Sequence, residues 1–155
     1  MKFSPKISLT KAGFSDIEFL WYLRNRPDIY RYSRQNRTVG WKEHIEWIIP
    51  IILRITKRNL FIIQQKSLPI GQVRFDYEKD REAEISIAIL KEFRKKGIGT
   101  ESFKKAIKLF KKIKKVKIIL AEVHRKNIPS QKFFEKLNFK LKNKKGSWLK
   151  YVLNL

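Results

Sequence analysis

The sequence predicts an α/β (α+β) protein built as one domain, with helices covering a mixed β-sheet of about six to seven strands. Runs rich in β-branched and aromatic residues alternate along the chain with segments of helical periodicity. No repeat, Gly/Ser-rich linker or change of composition divides residues 1–155. A strand–helix–strand unit in the middle of the chain requires at least one parallel pair of strands, so the sheet is expected to be mixed.

The first third of the chain is predicted to contain one strand and two of about four helices. The strand is expected at residues 6–9. Ser15 and Glu18 have the spacing of a capping box, which predicts a helix that ends near Pro27. Residues 25–40 are polar and rich in arginine, and because they have no periodic pattern they are expected to form a loop.

The rest of the chain is predicted to continue with helices and strands in alternation. A helix at residues 41–49 is expected to be interrupted or kinked by Pro50, because proline lacks the N–H group that a helix needs. Apolar residues recur at helical spacing between 103 and 113, and Pro129 suits the first turn of a last helix over 128–137. Strands are expected at residues 60–65, 70–77, 82–90, 117–123, 139–142 and 148–155.

The composition limits the classes of function. The 37 Lys and Arg against 14 Asp and Glu give a net charge of +23, which attracts polyanions but is also typical of a surface that lysine simply solvates. The absence of cysteine excludes disulfides, a cysteine nucleophile and thiolate metal sites, and it agrees with a reducing cytoplasm. No metal site, no membrane span and no secretory signal are expected from the sequence.

The stretch EFRKKGIGTE, residues 92–101, joins a predicted strand to a predicted helix. A helix N-terminus presents free N–H groups and the positive end of the helix dipole, so it is a ready site for an anion such as phosphate. Gly97 and Gly99 would let the anion approach the main chain closely. A P-loop is excluded because no Gly-Lys-Ser/Thr occurs, and a dinucleotide fingerprint fails because Ser102 replaces its third glycine.

The run Arg94-Lys95-Lys96-Gly97-Ile98-Gly99 resembles the R/Q-x-x-G-x-G/A loop of the GNAT N-acetyltransferase superfamily. Downstream, AEVHRKNIPSQKFFEKLNF is similar to the second signature of that family. In that signature a strand ends in an asparagine, here Asn127, and a short helix closes with F-x-x-x-G-F, here with Asn138 in place of the glycine. The resemblance covers essentially the whole chain. It implies a single GNAT domain over residues 1–155, with a sheet splayed between its two central parallel strands.

The resemblance also implies acetyl-coenzyme A as the cofactor. The pantetheine arm would lie in the splayed gap along the strand before the loop, and the pyrophosphate would sit on the main-chain amides of the loop. Asn127 would form a hydrogen bond with the pantetheine. The residues placed around the cofactor in this way are Ile87, Ala88, Ile89, Leu90, Arg94, Lys95, Lys96, Gly97, Ile98, Gly99, Thr100, Asn127, Ser130 and Phe134.

Acetyl transfer to an amine requires a general base, a stabilised oxyanion and a way for the thiolate to leave. Because the chain has no cysteine, direct attack by the amine in a ternary complex is expected. Glu84 and Glu122, on neighbouring predicted strands, are the candidate bases. Relatives often carry a tyrosine as the acid where this chain has Phe134, which cannot donate a proton. Ser130, one helical turn earlier, is the substitute candidate.

The N-terminal third is the part of GNAT proteins that differs with the acceptor. Here WYLRNRPDIYRYS at residues 21–33 is followed by HIEW at 44–47, and GQVRFD stands at 71–76. These motifs resemble the nucleotide-sugar group, which includes the acetyltransferase of pseudaminic acid biosynthesis. The resemblance implies that Arg31, Ser33, His44 and Trp47 lie near a nucleotide-linked amino sugar, since arginine forks a phosphate and an aromatic ring stacks on a base or sugar.

Two other hypotheses of function stay open. One is α-acetylation of the N-terminus of ribosomal or other proteins. The other, from a different class, is a basic domain that binds nucleic acid, which is disfavoured because the sequence has no zinc ligands, helix-turn-helix pattern or RNP motif. A homodimer is a further option for the assembly.

Overall fold

The computed structural model describes residues 5–155, which form one mixed β-sheet flanked by helices. The strands are β1 (Ser8–Lys11), β2 (Arg58–Gln65), β3 (Leu68–Tyr77), β4 (Glu82–Ile89), β5 (Ile118–His124), β6 (Lys140–Lys145) and β7 (Trp148–Asn154). Their order in the sheet is β1-β2-β3-β4-β5-β7-β6. Neighbouring strands are antiparallel except for β4 and β5, which are parallel. The prediction of a mixed sheet is confirmed.

Five α-helices occur between residues 5 and 155, and four of them are long. They are α1 (Ile17–Arg24), α2 (Pro27–Tyr30), α3 (Trp41–Ile52), α4 (Ile98–Ile113) and α5 (Ile128–Lys136). The predicted succession of strands and helices is confirmed, with the short α2 as an addition. In this part of the chain no helix has the length and apolar character needed to traverse a bilayer.

The helices cover the two faces of the sheet with separate hydrophobic cores. The larger core joins α4 and α5 to one face, and Phe110 of α4 stacks on Phe75 of β3 with ring centroids 4.3 Å apart. The smaller core joins α1 and α3 to the other face, mainly through β2. Side chains of a strand alternate between faces, and Ala83, Ile85 and Ile89 of β4 belong to the larger core. Glu84 therefore points to the face of α1 and α3.

The parallel strands β4 and β5 diverge in the middle of the sheet. Their register contains only three pairs, of which Glu84 with Leu120 is the last. Beyond it β4 continues to Ile89 and stays paired with β3, whereas β5 continues to His124 and stays paired with β7. The sheet is thus splayed between β4 and β5, as the resemblance implied.

Helix α4 begins, and helix α5 ends, next to a residue with left-handed main chain. Gly97, the N-cap of α4, has φ of 75°, which glycine adopts without a steric penalty. At the end of α5, Asn138 has φ of 69°. Phe139 N–H donates to Phe134 O at 3.0 Å and Asn138 N–H donates to Glu135 O at 3.0 Å, which together form a Schellman motif. Asparagine tolerates this conformation, so Asn138 replaces the expected glycine without loss of the motif.

The start of α1 differs from the prediction. The chain enters the helix through a 3-10 turn at Phe14–Asp16, and the Asp16 carboxylate accepts a hydrogen bond of 2.8 Å from Gly13 N–H. Asp16 therefore provides the hydrogen bond at the start of the helix that the sequence predicted for Ser15 and Glu18. A carboxylate at this position is also favoured by the helix dipole.

Two helix boundaries were also predicted wrongly. The loop expected at residues 25–40 contains the turn α2, because Pro27 suits a first helical position. Helix α3 does not break at Pro50 but continues to Ile52. The buried side chains of Ile48 and Ile51 hold its last turns in the smaller core, and this burial outweighs the lost hydrogen bond.

Strand β6 forms one edge of the sheet, and all six of its residues, KLKNKK, are exposed. Four of the six are lysines.

The structure contains one buried hydroxyl that predicts a change in stability. Ser102 on α4 is fully buried, and its Oγ has no hydrogen-bond partner among the described residues. We expect Ser102→Ala to raise the free energy of unfolding by about 1 kcal/mol, because the folded state no longer buries an unsatisfied polar group. Denaturant unfolding measures the change.

Ala106 provides the matched control, since it lies one turn later on α4 and is equally buried. Ala106→Ser should lower the free energy of unfolding, because it introduces the kind of group that Ser102→Ala removes. Destabilisation by Ser102→Ala would show that the Ser102 hydroxyl is hydrogen-bonded and would overturn this account.

Candidate functional site

The gap between β4 and β5 offers main-chain groups that have no strand partner. Leu90 N–H donates to Ile70 O at 2.9 Å, so the main chain of Leu90 faces β3. Because successive residues of a strand direct their N–H and C=O groups to opposite edges, the main chain of Ile87 faces the other way, into the gap. An extended ligand lying in the gap could pair with this edge as a further strand would.

The turn after β4 has the geometry expected of an anion site. Lys95 and Gly97 both have left-handed main chain, with φ of 61° and 75°. Glu101 N–H donates to Gly97 O, so the amides of residues 98–100 precede the first hydrogen bond of α4. These amides lie at the positive end of a helix of 16 residues, where an anion is stabilised.

Arg94 braces this turn. Its Nε donates to Ile89 O at 2.8 Å, and its guanidinium also donates to the carboxylate of Asp28 in α2. The side chain therefore ties the turn to the end of β4 and to the N-terminal third of the chain. Its charge is already matched by a carboxylate, so main-chain amides and Lys95 and Lys96 supply the positive potential of the turn.

Gly99 is required by the packing of two helices. A Cβ atom there would lie 2.9 Å from Cε2 of Phe133 in α5 and 3.6 Å from Cδ1 of Ile89. The glycine thus permits α4 to approach α5 closely, and the predicted contact of its main chain with an anion stays a prediction. At Gly97 the nearest atom is Pro5 Cδ at 3.8 Å, and there the left-handed φ is what requires glycine.

Asn127, Ser130 and Phe134 lie on α5 or at its start. Asn127 is the N-cap, and its Oδ1 accepts from Ser130 N–H at 3.3 Å. This bond occupies the oxygen of the Asn127 side chain and leaves its amide hydrogens for another partner. Ser130 is half-buried, whereas Phe134 is buried in the larger core against Phe133 and Phe139.

Glu84 is a carboxylate with an altered affinity for protons. Burial raises the pKa of the Glu84 carboxyl, and the Asp76 carboxylate across the β3–β4 register raises it further, while Arg74 opposes the change. Arg74 is itself held by two hydrogen bonds to Asp76, at 2.9 and 3.2 Å. No salt bridge to Glu84 is found in the described part of the chain. Glu84 is therefore suited to accept a proton.

Glu122 points to the same face as Glu84 but is held by cations. It forms a salt bridge with Arg34 and lies 4.0 Å from Nζ of Lys150, its register partner on β7. The guanidinium of Arg34 also lies 4.4 Å above the ring of Trp148. Arg34 thereby fastens the segment after α2 across β5 and β7. The structure distinguishes the two candidate bases, because only Glu84 is free of such a partner.

A depression of about 490 Å³ opens beside the salt bridge of Arg34 and Glu122. Its lining residues are Arg34, Glu122, Asn143, Lys145, Trp148, Leu149 and Lys150. Three cations, one carboxylate and one indole face a space large enough for a small molecule. The depression can hold an anionic group and a planar one side by side.

His44 is buried completely and uses both ring nitrogens inside the protein. Nδ1 lies 3.1 Å from Nη1 of Arg24, and Nε2 lies 2.9 Å from Ile17 O. An arginine can only donate, so Nδ1 accepts and Nε2–H donates to the carbonyl. Burial lowers the pKa of His44, and the charge of Arg24 adds to the effect. His44 positions its neighbours and is not exposed to an acceptor.

Trp47, Arg31 and Ser33 differ in their access to the site. The ring of Trp47 is covered by Arg24 at 4.3 Å and by Arg74 at 5.5 Å, which links it to the Asp76–Glu84 pair. Arg31 is exposed, with its guanidinium 5.1 Å from the ring of Tyr32. The Ser33 hydroxyl donates to Tyr30 O and accepts from Asn36 N–H, so it stabilises a turn.

The sequence interpretation missed Arg34, Asp76, Trp148 and Lys150. Asp76 and Arg74 had a signal, because they alternate along a predicted strand next to the one with Glu84. Trp148 and Lys150 had none, because their position opposite His124 and Glu122 depends on the pairing of β5 with β7.

The buried His44 predicts how stability depends on pH. Its pKa is lowered from the ordinary 6.5, so below about that pH the unfolded chain takes up a proton that the folded chain resists. We expect the free energy of unfolding to fall as the pH is lowered from about 7, by at most about 1.4 kcal/mol per pH unit for this one group.

The variant His44→Gln cannot titrate at this position and should lose that part of the pH dependence. Denaturant unfolding of both proteins at about pH 7 and about pH 5.5 measures the difference. If the free energy of unfolding changed equally with pH in the two proteins, His44 would accept its proton as readily in the folded chain as in the unfolded one.

Comparison with known proteins places this geometry in a family. The family model described as acetyltransferase (GNAT) domain matches residues 6–140. No curated protein matches the chain in sequence. Among solved structures, a domain from Methanocaldococcus jannaschii DSM 2661 has a TM-score of 0.84 and 28% sequence identity, over 98% of this chain and 100% of that one.

Two further structures share the fold at lower identity. Spermidine N-acetyltransferase from Vibrio cholerae, in complex with CoA and spermine, has a TM-score of 0.83 and 18% identity over 96% of this chain and 95% of that one. RimL, a ribosomal L7/L12 α-N-protein acetyltransferase in complex with coenzyme A, has a TM-score of 0.84 and 15% identity over 98% and 96%. Since the family model spans most of the described residues, this chain belongs to the GNAT family of acetyltransferases.

Proposed function

We propose that the chain, an acetyl-CoA-dependent N-acetyltransferase of the GNAT family, acetylates the primary amine of a nucleotide-linked amino sugar. One observation carries the choice of acceptor. The depression beside Glu122 presents Arg34, Lys145 and Lys150 together with the indole of Trp148. Cations and a stacking face within one space suit a ligand that has both phosphate groups and a planar ring.

The residues of the cleft fit acetyl-CoA, which supplies the activated acetyl thioester. The edge of β4 at Ile87 would pair with an extended arm, and the amides from Lys95 to Thr100 would hold a pyrophosphate. Asn127 keeps amide hydrogens for the same arm while its oxygen caps α5. The fit rests on main-chain groups, and these are present whatever side chains the turn carries.

Glu84 is the proposed general base. An amine acceptor must lose a proton as it is acetylated, and a carboxylate of raised pKa takes it more readily than an ordinary one. Glu122 is a poorer base because Arg34 and Lys150 stabilise its ionised form. We assign Glu122 instead to contact with the amine, beside the base.

Ser130 is the proposed acid: its hydroxyl passes a proton to the leaving sulfur and takes one from water in the same step, so that no alkoxide is left behind. It is half-buried in the first turn of α5, next to the Asn127 cap. Phe134 carries no proton to give and lies in the core, so it supports the helix that presents Ser130.

The arginine-rich segment supports the acceptor less broadly than the sequence suggested. Of the five arginines between residues 24 and 37, two make their contacts within the protein, since Arg24 is bound to His44 and Trp47 and Arg37 is paired with Glu43 at 2.8 Å. Arg31 and Arg34 remain on the acceptor side, one exposed and one at the depression.

The homodimer suggested above stays a prediction.

The role of Glu84 predicts a large loss of activity on substitution. Glu84→Gln should lower kcat by about 10²- to 10⁴-fold, with little change in the KM for acetyl-CoA, because only the transfer of the proton is removed. Glu82→Gln, two residues earlier on β4, is the matched control and should keep near-normal activity. Steady-state kinetics of the folded variants decides, and a kcat of Glu84→Gln equal to that of the control would exclude Glu84 as the base.

The pH profile tests the cause of the raised pKa. Activity should fall as the pH is lowered through the pKa of Glu84, because the protonated carboxyl cannot act as a base. Asp76→Asn removes a neighbouring negative charge, so it should move this acid limb to lower pH. An acid limb that stays in place would show that Asp76 does not influence the base.

A panel of acceptors tests the substrate class. We expect acetylation of a uridine- or cytidine-diphosphate 4-amino-4,6-dideoxy sugar and none of N-terminal peptides. Arg31→Ala should raise the KM for this acceptor with little change in that for acetyl-CoA, and added salt should weaken acceptor binding. Turnover of ribosomal N-terminal peptides alone would refute the sugar and leave the enzyme class intact.

A further inference from the structure

We propose that Arg34 determines acceptor specificity by exchanging partners. The Arg34 guanidinium and the acceptor amine compete for the carboxylate of Glu122. An anionic group on the acceptor would draw Arg34 from Glu122 and so free the carboxylate to contact the amine. The anionic character of the acceptor is taken from the proposed function, and the exchange itself rests on the contacts of Arg34.

Arg34 has three kinds of partner within reach. Its guanidinium pairs with Glu122, lies 4.4 Å above the ring of Trp148 and lines the depression with Lys145 and Lys150. An amine with no anionic group would have to displace a cation from Glu122 before it could bind there. An acceptor that carries a phosphate gives that cation a new partner, with which guanidinium forms two parallel hydrogen bonds.

The exposure of the pair makes the exchange feasible. The side chain of Arg34 is 59% exposed and that of Glu122 only 21%, so the guanidinium approaches from solvent and covers the carboxylate. An ion pair open to water on one side contributes little to stability. Rotation of Arg34 away from Glu122 therefore costs the fold little, and Lys150 at 4.0 Å continues to face Glu122.

Arg34 also influences the proposed base. The charge of Arg34 acts on the Glu84 carboxyl as well as on Glu122, as the smallest of the contributions there. One side chain on the segment after α2 thus contacts Glu122 and acts through its charge on Glu84. Its partner determines whether Glu122 can take part in binding the acceptor.

The first experiment observes the exchange without catalysis. Inorganic pyrophosphate is titrated into the protein saturated with coenzyme A, which occupies the cofactor turn, and tryptophan emission is recorded. Movement of a cation away from the Trp148 ring should change the emission. The change should be absent in Trp148→Phe, which identifies the reporter, and in Arg34→Gln, which removes the moving group.

Arg37→Gln is the matched control, because Arg37 is an arginine of similar exposure in the same segment and is also paired with a glutamate, Glu43. Arg37→Gln should respond to pyrophosphate as the wild type does. An absent response in the wild type, or an unchanged response in Arg34→Gln, would overturn the proposal.

The second experiment measures specificity as a ratio. The kcat/KM of a nucleotide-linked amino sugar is divided by that of the same amino sugar without the nucleotide. We expect Arg34→Gln to lower this ratio by about tenfold or more, because the free sugar gains access to Glu122 while the linked sugar loses its partner. A merely structural role of Arg34 would lower both values together and leave the ratio unchanged, which would also overturn the proposal.

The two experiments separate this inference from the proposed function. If the wild type acetylates neither sugar but pyrophosphate still alters Trp148 emission through Arg34, the exchange stands and the sugar acceptor is wrong. If both sugars are acetylated with a ratio that Arg34→Gln does not change, the acceptor class stands and the exchange is wrong.

Discussion

The parting of β4 from β5 is the constraint on which the rest of the molecule depends. A sheet that opens in its middle leaves main-chain groups without strand partners, and such groups need other hydrogen bonds. Antiparallel pairing on both sides keeps each half of the sheet intact, and the crossing of α4 joins the halves. The approach of β3 to β4 is so close that a Cβ atom at Gly71 would lie 2.5 Å from Ala88 O. The gap is thus bounded by two strands that each stay paired on their outer side, and it is suited to an extended ligand.

Charge is distributed unevenly over this framework. The chain has 37 basic residues and 14 acidic ones, yet Asp76, Glu84 and Glu122 lie on one face of three neighbouring strands beside the gap. A basic exterior attracts an anionic ligand over a distance, whereas in the proposed function the carboxylates at the centre contact the amine and accept its proton. Arginine side chains form salt bridges with two of these carboxylates, Arg74 with Asp76 and Arg34 with Glu122.

Local signals explain what the sequence could predict. The turn at residues 94–100 and the helix that begins beside Pro129 are encoded by adjacent residues, and the position of Glu84 follows from the alternation of a strand. Distant contacts were not predictable: Pro50 stays in α3 because buried neighbours hold that helix, and the approach of Gly99 to Phe133 depends on how α4 packs on α5. At the start of α1 the error was local, because Asp16 accepts from Gly13 N–H where Ser15 was expected to cap the helix. The pair of Arg34 and Glu122 joins residues far apart in the chain and depends on the path of the segment after α2, which no local pattern specifies.

The lysines of β6 have a consequence for how copies of this chain can meet. An open sheet edge is a template for pairing with the same edge of another molecule. Here the second copy would bring KLKNKK against KLKNKK at the spacing of neighbouring strands, about 4.8 Å, with like charges on both sides. Repulsion at this border disfavours pairing of two β6 edges with each other. This repulsion weakens as salt screens the charges, so pairing through the β6 edge becomes more favourable at high ionic strength.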